Sequence, residues 1–93
     1  MPSERDELAP LMGRVVIVDT ATRYVYVGTL KDVGEHYLIL ADVDVHDTAE
    51  GRADKDLYAV EIRRSGVQPN RREAYVRKAQ VASLSKLEDV VAY

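Results

Sequence analysis

Between Arg14 and His46 the chain passes through three β-type segments with room between them only for turns: "RVVIVDT" (14–20), "TRYVYVGTL" (22–30) and "YLILADVDVH" (37–46). β-Branched and aromatic residues dominate all three, and Tyr24 and Tyr26 alternate with Val25 and Val27 in the period-2 pattern of a half-buried strand. Strands joined this tightly must lie antiparallel as a meander. Gly28 inside the second segment marks a bend or a close backbone approach, and Gly34 in the turn "KDVGEH" (31–36) is available for positive φ.

The rest of the chain is arranged around this meander. Ser3 and Asp6 fit a capping box, and Leu8, Leu11 and Met12 share one helical face, so residues 3–12 read as a short helix tightened by Pro10 and stopped at Gly13. After the meander come a polar loop (47–56) and "DLYAVEIRRSG" (56–66). There a cap at Asp54 or Asp56, a stripe of Leu57, Tyr58 and Ile62, and Gly66 beyond Arg63-Arg64 favour a helix. "VQPNRRE" (67–73) reads as a basic loop and "AYVRKAQVASL" (74–84) as two short strands about a tight turn. In the tail (85–93), Ser85 and Glu88 fit a second capping box.

A chain of 93 residues holds one modest core, so residues 1–93 are read as a single domain with an insertion at 47–73. Five strands at this length cannot form two useful sheets. A strongly bent, nearly closed small barrel hides the most apolar surface and protects its edges.

Composition narrows the function. Without cysteine there is no disulfide, thiolate metal site or cysteine nucleophile. There is no Gly-x-Ser-x-Gly, P-loop, His-Glu-x-x-His or dinucleotide fingerprint, so no catalytic residue, cofactor or resident metal is expected. The N-terminus has no apolar h-region and no apolar run approaches a membrane span, so the expectation is a cytoplasmic protein without membrane contact. Asp42, Asp44 and His46 lie on alternate positions of the third segment; a divalent ion is one reading and a solvated acidic face the preferred one.

Charge is unevenly placed. Residues 1–62 carry 6 basic and 13 acidic side chains (−7), and residues 63–93 carry 7 and 3 (+4). Any surface for a polyanion must therefore be local to the last third, and with a pI near 5.3 no DNA binding is expected. The basic residues at 63–78 have a second reading, as partners for the acidic 42–56 region of the same or an adjacent subunit.

The order helix, bent three-stranded meander, then two short strands resembles the Sm/LSm family of small RNA-associated barrels, which includes the bacterial Hfq branch. The first half of the resemblance is "GRVVIVDTATRYVYVGTLKDVGEHYLILAD" (13–42). The second is Val76-Arg77-Lys78 followed by Val81 and Leu84, similar to the family's aliphatic-Arg-Gly motif. Residues 48–73 lie outside it. The chain departs from the family at the site: His36 or Tyr37 stands where an Asn is expected, and Lys78 replaces the Gly.

The resemblance implies a mainly β, five-stranded, SH3-like open barrel with an N-terminal helix. It also implies a ring of five to seven copies and single-stranded RNA as a partner. Arg77, Lys78, His36 and Tyr37, with Asp32, Arg71 and Arg72, are then the candidate RNA-binding residues, through stacking and phosphate contact. The alternatives are a structural or protein-interaction ring that has left RNA binding behind, and a monomeric SH3-like barrel.

Overall fold

The computed structural model describes residues 3–50 and 54–91; the middle of the expected 47–56 loop and the last two residues of the tail lie outside them. The elements run α1 (Glu4–Glu7), β1 (Val15–Thr20), β2 (Tyr24–Val33), β3 (Tyr37–Asp47), α2 (Lys55–Ser65), β4 (Arg71–Arg77) and β5 (Val81–Lys86). The five strands form one antiparallel sheet in the order β4-β3-β2-β1-β5, bent into an open barrel.

Helix α1 begins as expected. The Asp6 amide donates to Ser3 Oγ (3.1 Å) and the Ser3 amide to Asp6 Oδ2 (3.2 Å). It is only one turn long, because Pro10 turns the chain into a 3-10 turn over Ala9–Leu11, and Gly13 leaves it at φ 75° with its amide on Leu30 O (2.8 Å). Leu8, Leu11 and Met12 pack on one mouth of the barrel.

Two bulges produce the bend, and each changes which residues face inward. Between the pairs Leu30–Leu40 and Asp32–Ile39 strand β2 carries an extra residue, so its inward set passes from Leu30 to Val33. Between Thr29–Ala41 and Val27–Asp44 the extra residue is on β3, and the inward set passes from Leu38 and Leu40 to Val43 and Val45. Asp42 absorbs that irregularity at φ 51°, a conformation Asp tolerates better than most residues. Gly28 lies opposite, where a Cβ would stand 2.9 Å from Ala41 O and 3.1 Å from Val43 Cγ2. It is therefore a close-approach glycine, as expected. Gly34 is not a positive-φ turn: its amide closes the β2–β3 turn on Tyr37 O (2.8 Å).

The sheet has two apolar faces. Inside the barrel lie Val16, Val18, Leu30, Val33, Leu38, Leu40, Val43 and Val76. Outside, Ile17, Val25 and Val27 would be bare but for α2, which buries Tyr58 and Ile62 against them. The helix is set by Asp54, whose side chain accepts from the Leu57 amide (2.8 Å), and ends at Gly66, φ 87°. Lys55 clips it to the β1–β2 turn through Asp19 Oδ1 (2.5 Å) and the carbonyls of Thr20 and Thr22 (both 2.9 Å).

Three local expectations are corrected. Arg71 and Arg72 begin a strand rather than end a loop, since Arg71 pairs with Val43 and Glu73 with Ala41. Ser85 caps nothing: it pairs with Ile17 on β5, and the turn after it is a 3-10 turn (Leu87–Asp89) without a side-chain cap. Asp44 and His46 do not form a solvated face. Both are half-buried under α2, where His46 stacks on Tyr58 (4.0 Å between centroids, 7° between planes) and Asp44 Oδ1 accepts from Asn70 Nδ2 (3.3 Å).

Candidate nucleic-acid interface

The β2–β3 and β4–β5 turns meet at one end of the barrel because β3 and β4 are neighbours and Tyr37 pairs with Arg77. The Lys78 amide donates to His36 O (2.9 Å), holding the two turns together. Four of the seven expected residues, His36, Tyr37, Arg77 and Lys78, thus share one rim.

Their chemistry divides. The Arg77 guanidinium carbon sits 5.9 Å from the centre of the exposed Tyr37 ring, and among the described residues no carboxylate pairs with it. A cation beside an aromatic face is a surface on which a base can stack while the guanidinium reaches a phosphate. Lys78 is otherwise engaged: its ammonium forms an ion pair with Glu4 and donates to Gly34 O (2.8 Å), with its side chain only 20% exposed. Replacing the small residue of the family motif by Lys has here built a tie between α1 and the two turns.

Asp32 is likewise committed, pairing with Arg5 (3.2 Å) and accepting from the Val33 amide (2.8 Å). Arg71 and Arg72 do not join the rim. They open β4 while Arg77 closes it, about 20 Å away at the rise of a strand. Arg71 also donates back to Asn70 O (2.9 Å).

The sequence reading missed Tyr75. Ala74 and Val76 pack inward, so Tyr75 faces outward beside Arg77; it is 60% exposed and meets Tyr37 edge-on (6.2 Å, 64°). The signal was there in the alternation Ala-Tyr-Val-Arg, which places Tyr75 and Arg77 on one face. Next to this patch Lys31 Nζ donates to Glu73 Oε2 (2.8 Å), a bond that raises the Lys31 pKa and lowers that of Glu73.

Among solved structures, the chain is similar to the Sm protein of Pyrococcus abyssii in complex with a uridine heptamer. The TM-score is 0.60 at 16% identity, over 91% of this chain and 99% of that one. The fold is Sm-like. No family model and no curated protein matches the sequence. At this identity the likeness concerns the backbone, and the Sm-like barrel here carries its own rim chemistry and an α2 between β3 and β4. No helix among the described residues is long and apolar enough to cross a membrane.

Proposed function

We propose that this Sm-like protein forms a homo-oligomeric ring that binds single-stranded RNA at the rim where the β2–β3 and β4–β5 turns meet, in a non-catalytic, cytoplasmic chaperone or scaffold role. The observation that carries the reading is the Arg77–Tyr37 pair, an unneutralised guanidinium against an exposed ring with His36 adjacent. Repetition around a ring would multiply one modest stacking contact into useful affinity. With Asn absent from the turn, recognition rests on stacking and phosphate charge, so discrimination between uridine and adenine is weak.

A second reading is a ring that binds protein instead. It draws on the same rim, where Glu4 takes up Lys78 and Arg5 takes up Asp32, so that few free cations remain for a polyanion.

Binding to oligouridylate and oligoadenylate at two salt concentrations, with native protein and Arg77→Ala, separates the two. RNA binding requires measurable affinity that falls with salt and drops in the variant. Equal indifference of both proteins to both oligomers would sink it and favour the protein-binding ring.

A further inference from the structure

Helix α2 covers the outer face of β1 and β2 but stops short of β5. What remains is a groove of about 660 Å³ between the helix and the sheet edge. Its floor is Ile17, Ser83 and Ser85, its helical wall Leu57 and Val60, and its far wall Val90 and Val91. Leu57 and Val91 are 49% and 64% exposed, much for residues of this type lying so close together. The serines are the reason a groove exists: a large residue at either position would fill it.

The groove lies along an open edge. Strand β5 pairs with β1 alone and β4 with β3 alone, so the sheet ends at both in unpaired backbone donors and acceptors. A strand added beside β5 would continue the sheet about 4.8 Å away, and its outward side chains would stand in the groove. The other open edge of the same chain has the matching feature. Tyr75 on β4 projects from the outer face, the same face on which Ser83 and Ser85 pair with Asp19 and Ile17.

We propose that α2 and β5 form a socket for Tyr75 of the next copy of this chain, so that the helix between β3 and β4 acts as a clamp across the subunit boundary. Knob and socket lie on opposite edges of one sheet, so contact is head-to-tail and closes by rotation, not by a two-fold axis. An aromatic ring entering a mainly apolar groove is the kind of anchor that dominates an interface. The proposal rests on the ring reading above and adds which side chains hold the ring together.

The test is light scattering over a dilution series with native protein, Tyr75→Ala and Leu57→Lys, each checked for native circular dichroism. Both positions are exposed, so the fold should persist. Native protein is expected at a multiple of 10.4 kDa. Each variant should dissociate at a concentration at least about tenfold higher. An equimolar mixture should recover a heterodimer, because Tyr75→Ala retains a socket and Leu57→Lys retains a knob. A native ring whose mass and dilution behaviour neither substitution alters would overturn the clamp and leave the ring. A ring weakened by only one of the two substitutions would also overturn it, since the knob would then sit elsewhere. Native protein monomeric at every concentration would remove ring and clamp together.

Discussion

Lys78 holds the Glu4 carboxylate from the β4–β5 turn, fastening the N-terminal helix to the rim that carries Arg77. Two adjacent cations therefore have different work. Lys78→Ala should cost about 1 kcal/mol in urea unfolding, through the lost ion pair and the bond to Gly34 O. It should leave the salt slope of RNA binding nearly unchanged. Arg77→Ala should do the reverse, with little effect on stability and a shallower slope. If Lys78→Ala reduces the slope as much as Arg77→Ala, its ammonium leaves Glu4 for phosphate.

Gly28 should tolerate no side chain. A Cβ would meet Ala41 O at 2.9 Å and Val43 Cα at 3.2 Å, both backbone atoms held in the β3 bulge. Gly28→Ala is expected to cost about 1–3 kcal/mol, the usual range for forced overpacking. Thermal unfolding measures it, and a variant as stable as native would mean that β2 and β3 separate locally at no cost.

Tyr58 should be better replaced than kept. Burial pushes its phenol pKa well up and the nearby Asp44 carboxylate adds to the rise, yet the hydroxyl meets no partner in hydrogen-bonding geometry. Tyr58→Phe keeps the stack on His46 and should leave stability unchanged or raise it by up to about 1 kcal/mol. The pH dependence follows from the direction of the shift. Below pH 10, the ordinary value for a tyrosine, folded and unfolded phenols are both protonated and the full contribution is present. Above it the unfolded phenol ionises first and stability falls as pH rises. The alkaline loss should be shallower in Tyr58→Phe; equal slopes would show that Tyr58 does not contribute to it.

Much of the barrel was legible because strand signals are local. The period-2 run at Tyr24–Val27 and the capping box at Ser3 depend on residues a few positions apart, and the structure keeps both. The parity changes at Lys31 and Asp42 were not legible, since a bulge is defined by the partner strand, and only the pairing of Thr29 with Ala41 and Val27 with Asp44 reveals it. That is also why Asp42, Asp44 and His46 read as one face when Asp42 is the hinge. The rim was half legible. Family spacing located Arg77 and Tyr37, but nothing near Lys78 in sequence announces Glu4, seventy-four positions away, as its partner.

Asn70 is the residue whose side chain does the most beyond the sequence reading. Its amide nitrogen donates to Val45 O (3.1 Å) and Asp44 Oδ1 (3.3 Å), and its Oδ1 accepts from the Val45 amide (3.1 Å). With its own amide on Val43 O (2.9 Å), it extends the β3–β4 ladder by one rung made of side-chain atoms. Asn70→Ala should cost about 1 kcal/mol, since the site is exposed and water can replace part of what is lost. Asn70→Asp keeps the acceptor but loses the donor and sets a second carboxylate against Asp44, so at neutral pH it should be less stable than the alanine variant. Added salt should narrow that difference by screening the like charges. Hydrogen exchange at the Val45 amide reports the rung directly: it should speed up in Asn70→Ala while the Leu40 amide, deep in the same strand, does not change. Faster exchange at both positions would mean that Asn70 supports the whole of β3, and an unchanged Val45 would mean that the rung does not persist in solution.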